Sequence, residues 1–396
     1  MTPGASLAPR TDFPQTAQQT YLNAAGMGLV PLPVQRRFLD LATRIGTAGT
    51  DVFFDSYDEI MIAPRRSAAR LFGAALADVA IINSVSEVVS QIAAWRRPGR
   101  RENVVLLDID HPSTSFPWLR MAQDTGCEVR FARVAGAPET LELDHIARLI
   151  DERTAVVSVS HVQWTTGHRF DLAALADLAH ARDALLVIDA THSAGVVPFD
   201  APACGADVIA TGSFKWLCAY SGTGACYVRP GLSDVIRPVM VGSRTLHQEA
   251  RPEGAPVSEF SLPSGAARLE YGSSAHVLRV AFAASMDYLL DIGITRIFEH
   301  VQALAARLTE GLAARGARIL TPKNGASRAG IVTAMFPGHD SAELVERLAL
   351  ARVAVMLRMG AIRFAPHFYN DEGDIERALA GVDQALQSAA ARRSVS

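Results

Sequence analysis

The chain has 396 residues, with 38 basic against 41 acidic for a formal net charge of -3, and 49% of its residues are hydrophobic. That length accommodates two cores, the apolar fraction fits a globular protein, and the near-neutral balance excludes a global field for nucleic acid or a membrane surface. Four cysteines, at 127, 204, 218 and 226, lack the paired spacing of a zinc site and are too few for a disulfide framework, so a reduced, cytoplasmic protein without a metal centre is expected.

Residues 1–20, MTPGASLAPRTDFPQTAQQT, hold no apolar stretch of signal-peptide length and read as a flexible N-terminal arm. No later run reaches the roughly 20 apolar residues of a membrane span. From about residue 79 to 229, short β-branched runs alternate with helical periodicity. DVAIIN, NVVLLD, CEVRFARV, TAVVSVSHV, LLVIDA, ADVIATG and GACYVR fit strands covered on both faces in one mostly parallel sheet. Between two of them, DLAALADLAHARD carries Leu172, Leu175 and Leu178 at helical spacing, with Asp171 placed as a cap. Residues 230–270 are loop-rich, most clearly in RPEGAPVSEFSLPSG. Two long helices follow, then a mixed order of short strands and helices ending in DEGDIERALAGVDQAL, so that 276–396 reads as a smaller α+β domain after a large domain over 21–275.

Open α/β sheets bind ligands beyond the carboxyl ends of their strands. The residues there are His111 after NVVLLD, His161, Gln163 and Trp164 after VVSVS, Asp189, Thr191 and His192 at LLVIDA, Ser213 and Lys215 after ADVIATG, and NSVSE opening a helix after VAII. Each also has an ordinary explanation: Asp189 as a strand-end cap, His111 and His192 as loop histidines, NSVSE as a polar helix start, Lys215 as a snorkelling lysine beside a turn. A helix start also offers free N–H donors, so Val85 and Ser86 are candidates to hold a phosphate.

Taken together, VIDATHSAG and ADVIATGSFKWLCAYSGTG resemble pyridoxal-phosphate enzymes of fold type I, and the layout is most similar to the class V aminotransferase group, which includes isopenicillin N epimerase-like proteins, cysteine desulfurases and kynureninase. The resemblance runs from YLNAAGMGLVP to AIRFAPHFYNDEGDI. It implies a large domain with a seven-stranded, mostly parallel sheet and a cofactor, pyridoxal 5'-phosphate, joined to Lys215 as a Schiff base. It further implies Asp189 facing the pyridine nitrogen, His111 stacked on the ring, and His192 near the phenolic oxygen where the family often has Gln. The phosphate would rest on Val85, Ser86 and Ser213, completed across a homodimer interface by Gly272 and Ser273 of RLEYGSS. Arg363 matches the clamp for the substrate α-carboxylate, and residues 21–60 the entrance and interface segment, with Asn23 and Gly26 touching substrate. Trp164 stands where many relatives carry a polar residue, a departure that reshapes the pocket.

The reaction is less constrained. Desulfurases place a cysteine on a loop just before the carboxylate-binding arginine, and ARVAVMLRMGAIRFAPHF contains none. An aminotransferase acting on a small α-amino acid is the conservative expectation. A carbon–sulfur β-lyase acting on a cysteine conjugate or sulfoxide is the alternative, then an epimerase. A kynureninase would need an aromatic pocket from Trp118 and Trp164. Asp189, Lys215 and Arg363 together weigh against a cofactor-free homologue. Arg244, Arg251 and Arg268 make an acidic side-chain substrate conceivable, and are equally readable as surface pairs.

Overall fold

The computed structural model describes residues 4–243, 261–272 and 275–393. Most of the RPEGAPVSEFSLPSG run, Arg244, Arg251 and Ser273 lie outside them.

A two-residue strand, β1 (Thr20–Tyr21), precedes the main sheet. The seven β-branched runs form β2 (Val79–Ile82), β3 (Asn103–Leu107), β4 (Glu128–Ala132), β5 (Thr154–Ser160), β6 (Leu185–Asp189), β7 (Val208–Gly212) and β8 (Gly224–Val228), in the order β2-β8-β7-β6-β5-β3-β4. Only β8 runs against its neighbours. Its two antiparallel pairings restore the direction of β2, so β2, β3, β5, β6 and β7 all end at one edge.

Alternation along each strand builds two cores. Val105, Leu107, Val157, Val159, Leu186, Ile188 and Ile209 face one side, where the helix Leu172–His180 adds Leu172 and Leu175. Val104, Leu106, Val156, Val187, Val208 and Ala210 face the other, under the helices Val85–Arg96 and Pro112–Thr125. Trp118 is wholly buried in that second core, away from the pocket to which a kynureninase reading would assign it. Asp171 does cap its helix, its Oδ1 accepting from the N–H groups of Ala173 and Ala174 at 3.0 and 3.2 Å.

After the long helices His276–Ile292 and Ile294–Ala314, the chain builds a second sheet. It comprises β9 (Arg318–Ile319), β10 (Val332–Met335), β12 (Met356–Arg358) and β13 (Ala361–Phe364), in the antiparallel order β12-β13-β10-β9. The remaining strand, β11 (Val353–Ala354), pairs in parallel with β1, and Asn23 bridges to Ala365. Leu22 is buried with Val332, Phe364 and Val353, so the start of the segment read as large-domain pairs with β11 and packs against the C-terminal sheet.

The expectation of a flexible arm over residues 1–20 is corrected from residue 4 onward. Phe13, 1% exposed, packs at 5.5 Å from Phe368 and 4.9 Å from Tyr369, while Arg10 pairs with Asp371 at 2.8 Å and Asp374 at 3.0 Å. One aromatic anchor and one paired arginine among many polar residues are hard to weigh from composition. Phe13→Ala is expected to cost about 3–5 kcal/mol through the cavity it leaves. A thermal melt of the variant overlaying that of the parent would contradict this docking.

Candidate active site

The strand ends meet at a cavity of about 460 Å³ whose wall includes Gly26, Val85, Ser86, His111, Trp164, Asp189, His192, Phe214, Lys215, Arg358 and Arg363. β7 ends at Gly212, and the turn after it carries Lys215 inward, with the Cys218 N–H closing on the Lys215 carbonyl at 3.0 Å. The incoming N-terminal segment seals this turn from outside. Gly28 donates to the Phe214 carbonyl at 2.9 Å, and a Cβ at Gly28 would lie 2.0 Å from the Lys215 carbonyl oxygen, so glycine is required by the close approach.

Lys215 Nζ lies 2.9 Å from His192 Nε2, and the Trp216 indole N–H donates to His192 Nδ1 at 3.3 Å. Burial holds His192 well below the ordinary histidine range, reinforced by Lys215, Arg363, His111 and Arg358, so its imidazole is neutral. With Nδ1 accepting from the indole, the network assigns the ring proton to Nε2, which then donates to the lone pair of an uncharged Lys215 amine. Burial likewise lowers Lys215 to about 8, with Asp189 opposing and Arg363 and Arg358 assisting.

Asp189, 5% exposed, is fixed by three donors: the Thr191 N–H to Oδ1 at 2.8 Å, and the Ser113 and Thr114 hydroxyls to Oδ2, each at 3.2 Å. His111 caps the helix Pro112–Thr125, its Nδ1 accepting from the Ser113 N–H at 3.3 Å. Burial, followed by Lys215, lowers its pKa. Trp164 stands edge-on to His111 with ring centroids 5.6 Å apart, donates from its indole to the Ile109 carbonyl at 2.8 Å, and accepts at its own carbonyl from Arg363 Nη1 at 2.8 Å. Arg363 is 1% exposed, and burial, followed by Arg358, lowers it to about 9.

At the other end of the cavity Ser84 caps the helix Val85–Arg96 by accepting from the Glu87 N–H at 3.2 Å. Helix geometry leaves the Val85 and Ser86 N–H groups without an intrahelical acceptor, and both residues border the cavity.

Ten residues singled out from sequence are thus accounted for at the cavity wall, counting Thr191 with Gly26, Val85, Ser86, His111, Trp164, Asp189, His192, Lys215 and Arg363. Four others are placed elsewhere. The Ser213 hydroxyl is committed to the Tyr220 carbonyl, and Ser213 does not line the cavity. Asn23 sits behind the wall at its bridge to Ala365, while Gly272 has open space where a Cβ would stand and borders no part of the cavity. Arg268 is held by the carbonyls of Asp234 and Ile236, and forms no part of the wall. Arg358, Phe214 and the supporting Trp216 were not read from sequence. Alternation along β12 was the available signal for Arg358, and it needs the strand register to become informative.

The chain matches the family described as "Aminotransferase class-V" over residues 45–370 and belongs to it. It is 27% identical over 369 residues to the "Uncharacterized aminotransferase YcbU" of Bacillus subtilis, covering 93% of this chain and 94% of that one. It is 25% identical to a "Probable cysteine desulfurase" of Methanothermobacter thermautotrophicus, again covering 93% and 94%. Among solved structures, a complex of the cystine C-S lyase C-DES with its reaction product superposes with a TM-score of 0.86 at 21% identity, over 93% of this chain and 98% of that one. The protein is a pyridoxal-phosphate-dependent enzyme of fold type I acting on small amino acids.

The wall fits that cofactor: it offers a buried amine, a fixed carboxylate and two unpaired helix N–H groups in one cavity. In cofactor-free protein, covalent capture of pyridoxal phosphate should quicken about tenfold per pH unit and level off near pH 8, because only the neutral amine attacks. At pH 7 roughly one Lys215 in ten would then be neutral, against roughly one in three thousand for an ordinary lysine. Trp216→Phe removes the donor that orients His192 and should move the midpoint up by as much as about one pH unit. A midpoint near 10 in the parent protein would refute the assignment.

Proposed function

We propose that the protein is a carbon–sulfur β-lyase acting on a small α-amino acid with sulfur at Cβ, by direct elimination rather than through a protein persulfide. The observation that carries this is the wall itself: it holds Lys215, His192, Asp189 and Arg363, and none of the four cysteines. Cys218 and Cys226 are buried, and burial pushes both thiols well above their ordinary range, which makes them poor nucleophiles. Relatives named for desulfuration and for carbon–sulfur cleavage support the choice of bond.

When bound, the cofactor supplies the electron sink for bond breaking at Cα. Arg363 holds the α-carboxylate through a forked guanidinium, which orients the substrate. Lys215 Nζ in its uncharged form takes the Cα proton, and His192 Nε2 lies 2.9 Å from that nitrogen to hold it in place. Loss of the Cα proton and the Cβ–S bond, followed by addition of water, converts RS–CH₂–CH(NH₃⁺)–COO⁻ into RSH, pyruvate and ammonium.

Asp189 is assigned to the pyridine nitrogen, His111 to the ring face, and the Val85 and Ser86 N–H groups to the phosphate. A homodimer that brings the Gly272–Ser273 segment of one subunit to the other's phosphate is part of this reading. The exposed Met27, Leu39 and Phe54 in the 21–60 stretch supply apolar surface of the kind an interface covers.

The test is turnover of the pyridoxal-phosphate-loaded protein with a panel of L-amino acids that includes cysteine S-conjugates and sulfoxides. Pyruvate, ammonia and a sulfur fragment should appear in equal amounts, with the cofactor spectrum restored after each turnover. Lys215→Ala should lower kcat/KM by at least about 10³-fold. Accumulation of the cofactor in its amine form, reversed by a keto acid, would establish transamination instead.

A further inference from the structure

Arg358 is a second guanidinium in the cavity wall. In the antiparallel pairing of β12 with β13, Met356 stands opposite Arg363 and Arg358 opposite Ala361. Residues two apart on a strand share a face, so Arg358 and Arg363 are diagonal neighbours on one face, roughly 7–8 Å apart by sheet geometry. Two like charges so placed repel, yet among the described residues neither has a carboxylate partner. Arg358 lies on the Trp164 ring at 5.6 Å, gives one N–H to the Leu357 carbonyl at 3.1 Å, and keeps a buried Nε with no acceptor. Arg363 is bound by the Trp164 carbonyl and the Met356 sulfur, and its Nε is equally unsatisfied. Arg279, as deeply buried at 3%, is by contrast closed by Glu270 at 3.0 Å.

The wall cannot neutralise this pair itself. Asp189 is the one acid among the described lining residues, and Thr191, Ser113 and Thr114 already occupy its oxygens. The cofactor phosphate is no better a partner. Its N–H donors follow β2, at one margin of the seven-stranded sheet, whereas Trp164 follows β5 and hangs from Ile109 after β3, toward the other margin. An unpaired buried cation is costly unless an anion arrives, and a guanidinium fork suits a planar oxyanion. The packing of Arg358 on Trp164 holds its fork in place before that anion binds.

We propose that Arg358 binds a second anionic group, a carboxylate or sulfur oxyacid, on the substrate side chain, so that the preferred substrates are α-amino acids carrying two acid groups. The choice of substrate rests on the reading of the cavity as an amino-acid site. Within a carbon–sulfur lyase, it selects cysteine derivatives whose sulfur is oxidised to an acid or bears a short acidic arm. Trp164, the departure noted in sequence, becomes the shelf that positions the specificity residue.

Two measurements on the cofactor-loaded enzyme test this. In turnover, S-carboxymethyl-L-cysteine should exceed its neutral isostere S-carbamoylmethyl-L-cysteine at least tenfold in kcat/KM. Arg358→Gln should bring that ratio to about one, and Arg358→Lys should restore part of it. In calorimetry, the unreactive succinate should bind at least tenfold more tightly than succinamate, with the same dependence on Arg358. Equal use of the two cysteine derivatives, or a ratio unchanged in Arg358→Gln, would overturn the proposal. Charge-selective succinate binding with no turnover of any sulfur amino acid would leave the arginine pair standing and sink the lyase reading.

Discussion

An amine held inside a protein must either find a permanent anion or give up its proton more readily than in water, and the cavity is arranged so that Lys215 does the second. Desolvation supplies the main force, and two guanidinium groups nearby add to it. His192 completes the arrangement because its only available hydrogen points at the lysine, a direction imposed from behind by the Trp216 indole. A residue adjacent in sequence to the lysine thereby orients the imidazole that faces it. Asp189 tempers this field without touching the amine, since its oxygens are taken by the strand-end loop and the start of the helix Pro112–Thr125.

Trp164 performs the comparable task for the substrate end. Its indole N–H is anchored to the main chain, its edge meets His111, its face supports Arg358, and its carbonyl holds Arg363. A polar side chain at this position would bond one neighbour; the large ring arranges several. The result is a pocket with a cationic wall on the small-domain side and hydrogen-bond donors at a helix start on the other, a polarity suited to a ligand anionic at both ends.

Much of this was legible in the residues. Near-continuous apolar runs such as VVLL and VVSV announce a sheet covered on both faces, and the strand-end rule then gathers His111, Asp189, His192 and Lys215 without any structure. What was not legible depends on register and on contacts between distant segments. The pairing that sets Arg358 beside Arg363 follows from a two-residue turn at Met359 and Gly360, and a shift of one residue would have turned Arg358 to the opposite face. Ser213 stands one residue beyond β7 and looks available, yet the tight turn gives its hydroxyl to Tyr220. Phe13 sits in polar surroundings in sequence, and only the C-terminal aromatic cluster reveals its use.

The bridge from Asn23 to Ala365 and the contact of Gly28 with the Lys215 turn also bear on how the enzyme is born. A nascent chain can lay down the seven-stranded sheet once residue 228 has emerged, but the strip that seals the lysine turn finds its pairing partners, Val353, Ala354 and Ala365, only after more than a hundred further residues. Such long-range closure is slow and late. The turn that carries Lys215 therefore gains its outer contact only after segments more than 300 residues apart have met, so the back of the site is finished later than the sheet that frames it.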